Sequence, residues 1–351
     1  MHKIFISSTG TQSGQSLAAW VMAEIFHSKG MRTGFFKPFV TRPMIKDGRI
    51  IDKDALLMKE YLCLQEDLEL ISPVVPEESP GDEATRKEQI KTIKKSYEVV
   101  KEEKDALVIM GSEQIFYDSD SPYLPDGHLV NQFDSPVLLV DKFQSESMSI
   151  YSVLAVDSFL NGRVKIVIIN LVSPDSLESV RQKLVPLFQE RGLPVVFVVP
   201  QDRILACLTI RHIVDIVKGD VLTGEEHLDS LVESTSISST HLKGSLNLFR
   251  SVFNKIILLG PTADNSPVPF IPPVVTGILL TGGRKPAPIV INTCKDFDIP
   301  LISTPYDTFT TMEKIQNRQI HITCKDVYKL KRFLQLMGEE DAIRKIVRQI
   351  V

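Results

Sequence analysis

"FISSTGTQSGQSLAAW", residues 5–20, joins an apolar, β-prone start (Ile4 to Ile6) to a helix-forming stretch (Leu17 to His27) through a loop of small residues and glycine. A phosphate-binding loop of the pattern G-x-x-x-x-G-K-[ST] has this layout. Two departures stand out: Gly10 lies one place closer to Gly14 than the pattern asks, and Gln15 holds the lysine position. A strand–loop–helix of this kind presents backbone N–H groups and the positive helix end to an anion. Gly10, Thr11, Gly14 and Ser16 suit such a cradle, and Ser16 stands where a Mg²⁺-ligating hydroxyl belongs. Gln15 cannot give the charge that lysine gives to phosphates. The alternative is a tight strand–helix turn that holds no ligand.

Outward from this loop, apolar β runs alternate with amphipathic helices. The pattern predicts strands at Ile4–Ser7, Arg32–Phe36, Ala106–Met110, Val137–Val140, Lys165–Asn170 and Val195–Val199. It predicts helices at Gln15–Ser28, Asp54–Leu62, Glu83–Glu102, Gln144–Phe159, Asp175–Arg191 and Thr209–Lys218. Unbroken apolar strands separated by helices indicate an α/β fold with a parallel sheet covered on both faces. From Gly219 the rhythm changes, and a smaller α/β unit is expected. It runs through a helix at His241–Phe253, a strand at Lys255–Leu259, a proline-rich loop from Pro261 to Pro273, the turn Thr281-Gly282-Gly283 and a helix at Asp307–Gln316. Two tail helices, Lys325–Met337 and Glu339–Ile350, break at Gly338. The expected domains are therefore 1–218, 219–323 and a helical tail, 324–351.

The chain has 351 residues, 43% of them hydrophobic and 24% charged, with a net charge of −4. That is the composition of a soluble globular protein of about two domains. It carries no basic footprint for nucleic acid and no apolar run long enough to span a bilayer. The start, Met1-His2-Lys3, shows no signal-peptide core, so a cytoplasmic protein is expected. Four dispersed cysteines (Cys63, Cys207, Cys294, Cys324) read as buried, reduced thiols.

Other residues bear on the loop. Lys37 in "FFKPFV" ends the second strand at the sheet edge where open α/β sheets take ligands, facing phosphates or solvent. Asp52 and Asp54 precede a helix, as water-mediated Mg²⁺ holders or as ordinary N-caps. Met110 ends the strand at which an NTPase places an acidic group, and Glu113 nearby is a substitute or a solvated loop residue.

These stretches together resemble a known family. "STGTQSGQS", "FFKPFV", "DKDALLMKEYL", "ISPVVPEESP" and "VKIVIINLVSP" are similar to the dethiobiotin synthetase and cobyrinic acid a,c-diamide synthase branch of P-loop proteins. "RGLPVVFVVPQDRILACLTIRHI", "VLTGEEHLDSLVE" and "GILLTGGRKPAPIVINTCKDFDIPLISTPYDTFTTMEKIQ" resemble the synthetase-like region and the DRTGG domain that precede catalysis in long phosphate acetyltransferases. The resemblance implies a P-loop NTPase-like domain followed by a DRTGG-like domain, in a stand-alone form of that regulatory region. It implies ATP or another nucleotide, with Mg²⁺, bound weakly through Gly10, Thr11, Gly14, Gln15, Ser16 and Lys37. Ser16 and Asp54 would sit at the metal, and Asn170 and Pro200 would flank the adenine. Gly282, Gly283, Pro305, Asp307 and Thr308 match the recognisable turns of the DRTGG domain.

The departures point away from synthetase chemistry. Gln15 and Met110 replace a lysine and an acidic residue, and Asp-Arg-Thr becomes "GPTADN" (Gly260 to Asn265). The resulting expectation is a non-catalytic sensor of a nucleotide or metabolite. It would act on an enzyme of acetate or acyl-phosphate metabolism as a homo-oligomer, without nucleic acid or membrane. The rival is an ATP-dependent synthetase or NTPase that uses Lys37 for the missing lysine. A third reading is an oligomerisation module, with Ala342, Ile343, Ile346, Val347 and Ile350 as an apolar stripe.

Overall fold

The six apolar runs of the first half line up as one sheet. In the computed structural model these are β1 (His2–Ser8), β2 (Thr33–Phe36), β5 (Ala106–Met110), β6 (Val137–Lys142), β7 (Val164–Val172) and β8 (Val195–Pro200). Their spatial order is β2-β5-β1-β6-β7-β8, and every neighbouring pair is parallel. The structure describes residues 1–76, 83–113, 115, 116, 121–238, 255–259, 275–283, 285, 286, 288–317 and 321–350. The expected helix at 241–253, the proline-rich loop and the segment 260–265 lie outside these residues.

The strands are apolar along their whole length because both faces are covered. Phe5, Leu107, Ile109, Leu139, Val167 and Ile169 pack with helices α4 (Glu83–Val100), α5 (Asp126–Phe133), α6 (Glu146–Phe159), α7 (Pro174–Ser179) and α8 (Val185–Glu190). A π turn over Val180–Leu184 joins α7 to α8, ahead of Pro186, which lacks the N–H a continuous ladder needs. The opposite face is covered by α1 (Gln15–Ser28) together with α13 (Val327–Met337) and α14 (Glu339–Ile350). Gly338 stops α13 in the left-handed conformation, φ 81°.

Two compact units emerge: residues 1–202 with 321–350, and residues 203–320. Both differences from the expected division have a packing cause. Ile210, Ile213 and Val217 of α10 (Ile210–Val217) belong to the core of the second unit, so the division falls at Arg203 and not at Gly219. The tail is no separate module. Ala342 and Ile346 are fully buried and α14 packs on β1 and β8, so much of the stripe expected at an oligomer contact lies inside the first unit.

The second unit has its own five-stranded sheet. Strands β12 (Ser234–Ser238), β13 (Lys255–Leu259), β14 (Val275–Leu280) and β15 (Leu301–Ser303) run parallel, and β10 (Asp220–Thr223) closes the edge antiparallel to β15. Alternation along β13 sends Ile256 and Leu258 toward α10 and α12 (Thr308–Gln316), and Ile257 and Leu259 toward α11 (Pro288–Asp296). No disulfide joins the four cysteines. Cys207 and Cys294 are buried as expected, whereas Cys63 is exposed and Cys324 half-buried.

Candidate functional site

The strand ends of a parallel sheet set the place of the site. Behind β1, the loop turns twice through positive φ, at Gln12 (55°) and Gly14 (98°). A Cβ on Gly14 would stand 2.4 Å from the Asn170 amide nitrogen, so only glycine fits. Asn170, from the end of β7, donates to the Ser13 carbonyl at 2.7 Å and thereby holds the loop from behind. Thr9 anchors its start, donating to Asp141 at 2.7 Å. Thr9 N–H bonds to Val140 and Ala18 N–H to Gly14. Between them, from Gly10 to Leu17, no backbone N–H meets an acceptor among the described residues. This is the donor-rich concavity that receives anions.

Gln15 is fully buried and turns inward. Its Nε2 donates to the carbonyls of Ile6 (2.8 Å) and Gly111 (3.4 Å), at the ends of β1 and β5. The side chain at the lysine position thus stitches the sheet and brings no charge to the loop. Pro200 sits half-buried at the end of β8, three strands from β1.

Lys37 is neither a solvent cap nor a free cation. It is 0% exposed and its ammonium donates to Asp52 Oδ1 (3.0 Å), Asp52 Oδ2 (2.9 Å) and Asp54 Oδ2 (2.6 Å). All three of its protons are committed. Asp52 is the N-cap of α2 (Lys53–Tyr61), accepting from the Asp54 and Ala55 N–H groups, and also takes the Thr41 and Arg42 N–H groups. The hairpin of β3 (Pro43–Lys46) and β4 (Arg49–Asp52), absent from the sequence reading, delivers Asp52 and Arg42 to this position.

Arg42 is the unanticipated member. Its guanidinium bonds Ser16 Oγ, Asp54 Oδ1 (3.5 Å) and Glu113 Oε1 (3.0 Å). Glu113 is therefore paired and only 16% exposed, not solvated. Burial opposes the charge on Lys37, but Asp54 and Asp52 outweigh it and raise the lysine pKa. Burial pushes Asp54 up, yet Lys37 and Arg42 prevail and hold its carboxyl at about 2. At Glu113 burial wins and the pKa rises despite Arg42.

A second missed residue is a carboxylate packed against Gly111, just beyond the end of β5. Asp126, the first residue of α5, is fully buried and accepts from Ser7 Oγ (2.6 Å), Ser112 N–H (2.7 Å) and Ser112 Oγ (3.0 Å). Burial raises it to about 6 against these hydrogen bonds. An acidic group thus lies at the β1 and β5 ends after all, supplied by a helix and not by the strand.

Ser16 and Asp54, expected at a metal, do come together, and Glu113 joins them. Their oxygens converge on the Arg42 guanidinium, and the remaining Asp54 oxygen is taken by Lys37. Mg²⁺ demands oxygens at about 2.0–2.1 Å in near-octahedral array. With two side-chain cations already bonded to these oxygens, the arrangement does not fit that ion.

In the second unit the DRTGG-matching residues form a pair of strand-end turns. Gly282 and Gly283 have φ of 84° and 66° and donate to the Tyr306 and Thr304 carbonyls at 2.7 and 2.9 Å. The Thr281 and Thr308 hydroxyls meet at 2.7 Å, and Asp307 caps α12 through the Thr310 N–H. Pro305 lies within the second turn.

A parallel sheet with a glycine-rich strand–loop–helix at the carboxyl ends of its strands defines a P-loop-type domain. The chain belongs to the AAA domain family, whose profile matches residues 2–207, and a DRTGG domain follows at residues 212–318. It is 22% identical to the phosphate acetyltransferase of Synechocystis sp. over 96% of its own length and 50% of that protein. It is 29% identical to the ATP-dependent dethiobiotin synthetase of Methanocaldococcus jannaschii over 31% of its length and 51% of that protein. The chain therefore spans about half the length of the curated relatives it matches. The crystal structure of the CBS and DRTGG domains of the regulatory region of Clostridium perfringens pyrophosphatase, complexed with the activator diadenosine tetraphosphate, is 16% identical. That match covers 45% of this chain and 75% of the other, with a TM-score of 0.26. No helix among the described residues is long and apolar enough to cross a membrane.

Proposed function

We propose that this protein is a regulatory, ligand-sensing chain that binds a nucleotide or a related phosphorylated metabolite at the loop Gly10–Ser16 without turning it over. One observation carries the reading. The cradle of N–H groups is open to an anion, while Gln15, in the position of the catalytic charge, is buried against the Ile6 and Gly111 carbonyls. Binding needs the cradle; phosphoryl transfer also needs charge placed where it develops in the transition state. The resemblance to phosphate acetyltransferase supports an acetate or acyl-phosphate enzyme as the partner, with the DRTGG domain as an accessory module. A cytoplasmic setting and self-association belong to the same proposal.

The synthetase reading loses its replacement lysine, because every Lys37 proton is bonded to a carboxylate. Isothermal titration with ATP, ADP, GTP, acetyl-CoA and NADH, each with and without Mg²⁺, tests the sensor. Binding of at least one is expected, and silence from all five would sink it. A phosphate-release assay on the pure protein tests the rival: turnover abolished in Lys37→Ala would restore it.

A further inference from the structure

Three oxygens at the mouth of the loop meet one cation, and that cation is part of the chain. The Arg42 guanidinium bonds Ser16 Oγ, Asp54 Oδ1 and Glu113 Oε1. Its root is fixed as well, since the Thr41 and Arg42 N–H groups both donate to Asp52 Oδ2 at 3.0 Å. Asp52 in turn is held by Lys37 and caps α2. An arginine stays charged at any accessible pH, and its planar fork serves several oxygens at once.

We propose that Arg42 is a built-in substitute for the divalent cation, so that the loop takes a phosphorylated ligand with no need of Mg²⁺. The proposal rests on the reading of Gly10–Ser16 as an anion site and names the form of ligand that site takes. Its contact with Ser16, in the first turn of α1, sets the guanidinium beside the cradle of free N–H groups. It supplies there the positive charge that Gln15 lacks. A metal entering the same place must displace a bonded guanidinium and share Asp54 with Lys37. It would add two charges to a pocket that already holds Lys37 and Arg42 against Asp52, Asp54 and Glu113.

The test uses the full chain and has two arms. In the first, ADP is titrated calorimetrically in EDTA and again in excess MgCl₂. Mg²⁺ is expected to leave wild-type affinity unchanged or weaker, within about twofold, whereas Arg42→Ser gains Mg²⁺ dependence of about tenfold or more. A wild-type protein that binds ADP tenfold tighter with Mg²⁺ overturns the proposal. The second arm needs no nucleotide: Mn²⁺ is titrated into each protein and followed by electron paramagnetic resonance. Wild type is expected to leave Mn²⁺ free, while Arg42→Ser and the longer-stemmed Arg42→Gln take it up. Uptake by wild type as tight as by a variant, or none by a folded variant, overturns the role of Arg42. If ADP and the other nucleotides bind under neither condition, the sensor reading fails by itself, and the Mn²⁺ arm still decides what Arg42 does. Circular dichroism confirms that each variant is folded.

Discussion

Replacing Lys37 by methionine isolates the energetics of the buried charge cluster. Methionine keeps an unbranched apolar stem and removes the ammonium. Asp52 and Asp54, 1% and 4% exposed, lose the partner that bonds three of their four oxygens. Arg42 alone then faces three carboxylates. Deleting one member of a buried ion pair costs about 3–5 kcal/mol, because the other charge stays out of water without compensation. At roughly 2–4 °C per kcal/mol for a unit of this size, the melting temperature falls by about 6–20 °C. Urea unfolding at pH 7, followed by circular dichroism, measures the loss, and added NaCl changes it little because the cluster is shielded from solvent. Asp54→Asn in the Lys37→Met background removes one stranded charge and restores at least about 1 kcal/mol, a non-additivity expected of groups in contact. A loss below about 1 kcal/mol for Lys37→Met, or a double variant no more stable than the single, would refute the argument that this cluster is held together by charge.

Three further outcomes follow from other parts of the molecule. Asp126 is raised from 3.8 to about 6, so the native state binds its proton more tightly than the unfolded chain. Its contribution is complete below about pH 4 and disappears as pH rises through about 6, a change of roughly 3 kcal/mol at 1.36 per pH unit. Stability curves of wild type and Asp126→Asn from pH 4 to 7 are expected to differ by that slope, and parallel curves would contradict it. Gly14→Ala puts a Cβ against Asn170 at φ 98°, with an expected loss of about 1–3 kcal/mol and of ADP binding. Asn170→Ala relieves the contact but not the φ strain, so a thermal melt of the double variant shows a smaller loss than the sum. Ile346→Ala opens a cavity under α14 and costs about 2–5 kcal/mol in urea unfolding, while sedimentation shows the same particle mass.

The parallel sheet was legible because a strand buried on both faces is written as an unbroken apolar run. Gln15–Ser28 and Ala106–Met110 match the structure to the residue. The hairpin that carries Arg42 also left a signal. Asp47-Gly48 sits between alternating residues and adopts φ of 51° and 75°, the turn that this dipeptide favours. Two four-residue strands with exposed Ile45 and Ile50 bury too little for that signal to stand out. Asp126 was hidden differently. Pro125-Asp126-Gly127 reads as a turn by composition, yet Pro125 is the N-cap of an eight-residue helix whose first carboxylate points under the sheet edge. Lys37 and Asp54 each read as a binding residue, but no local pattern shows that they bind each other. That depends on a contact across seventeen residues, which β4 and α2 create.

The place of α13 and α14 sets an order of assembly. Residues 321–350 cover one face of the sheet that begins at His2, and the His2 ring lies 3.1 Å from the Ile350 carbonyl. Residues 203–320, by contrast, contain their whole core within one continuous stretch. During synthesis the later segment is therefore able to close first, while the earlier one waits with an apolar sheet face open until the last helix arrives. A chain truncated after Gln316 would therefore keep the continuous stretch of the second unit while lacking the two helices that cover one face of the first sheet.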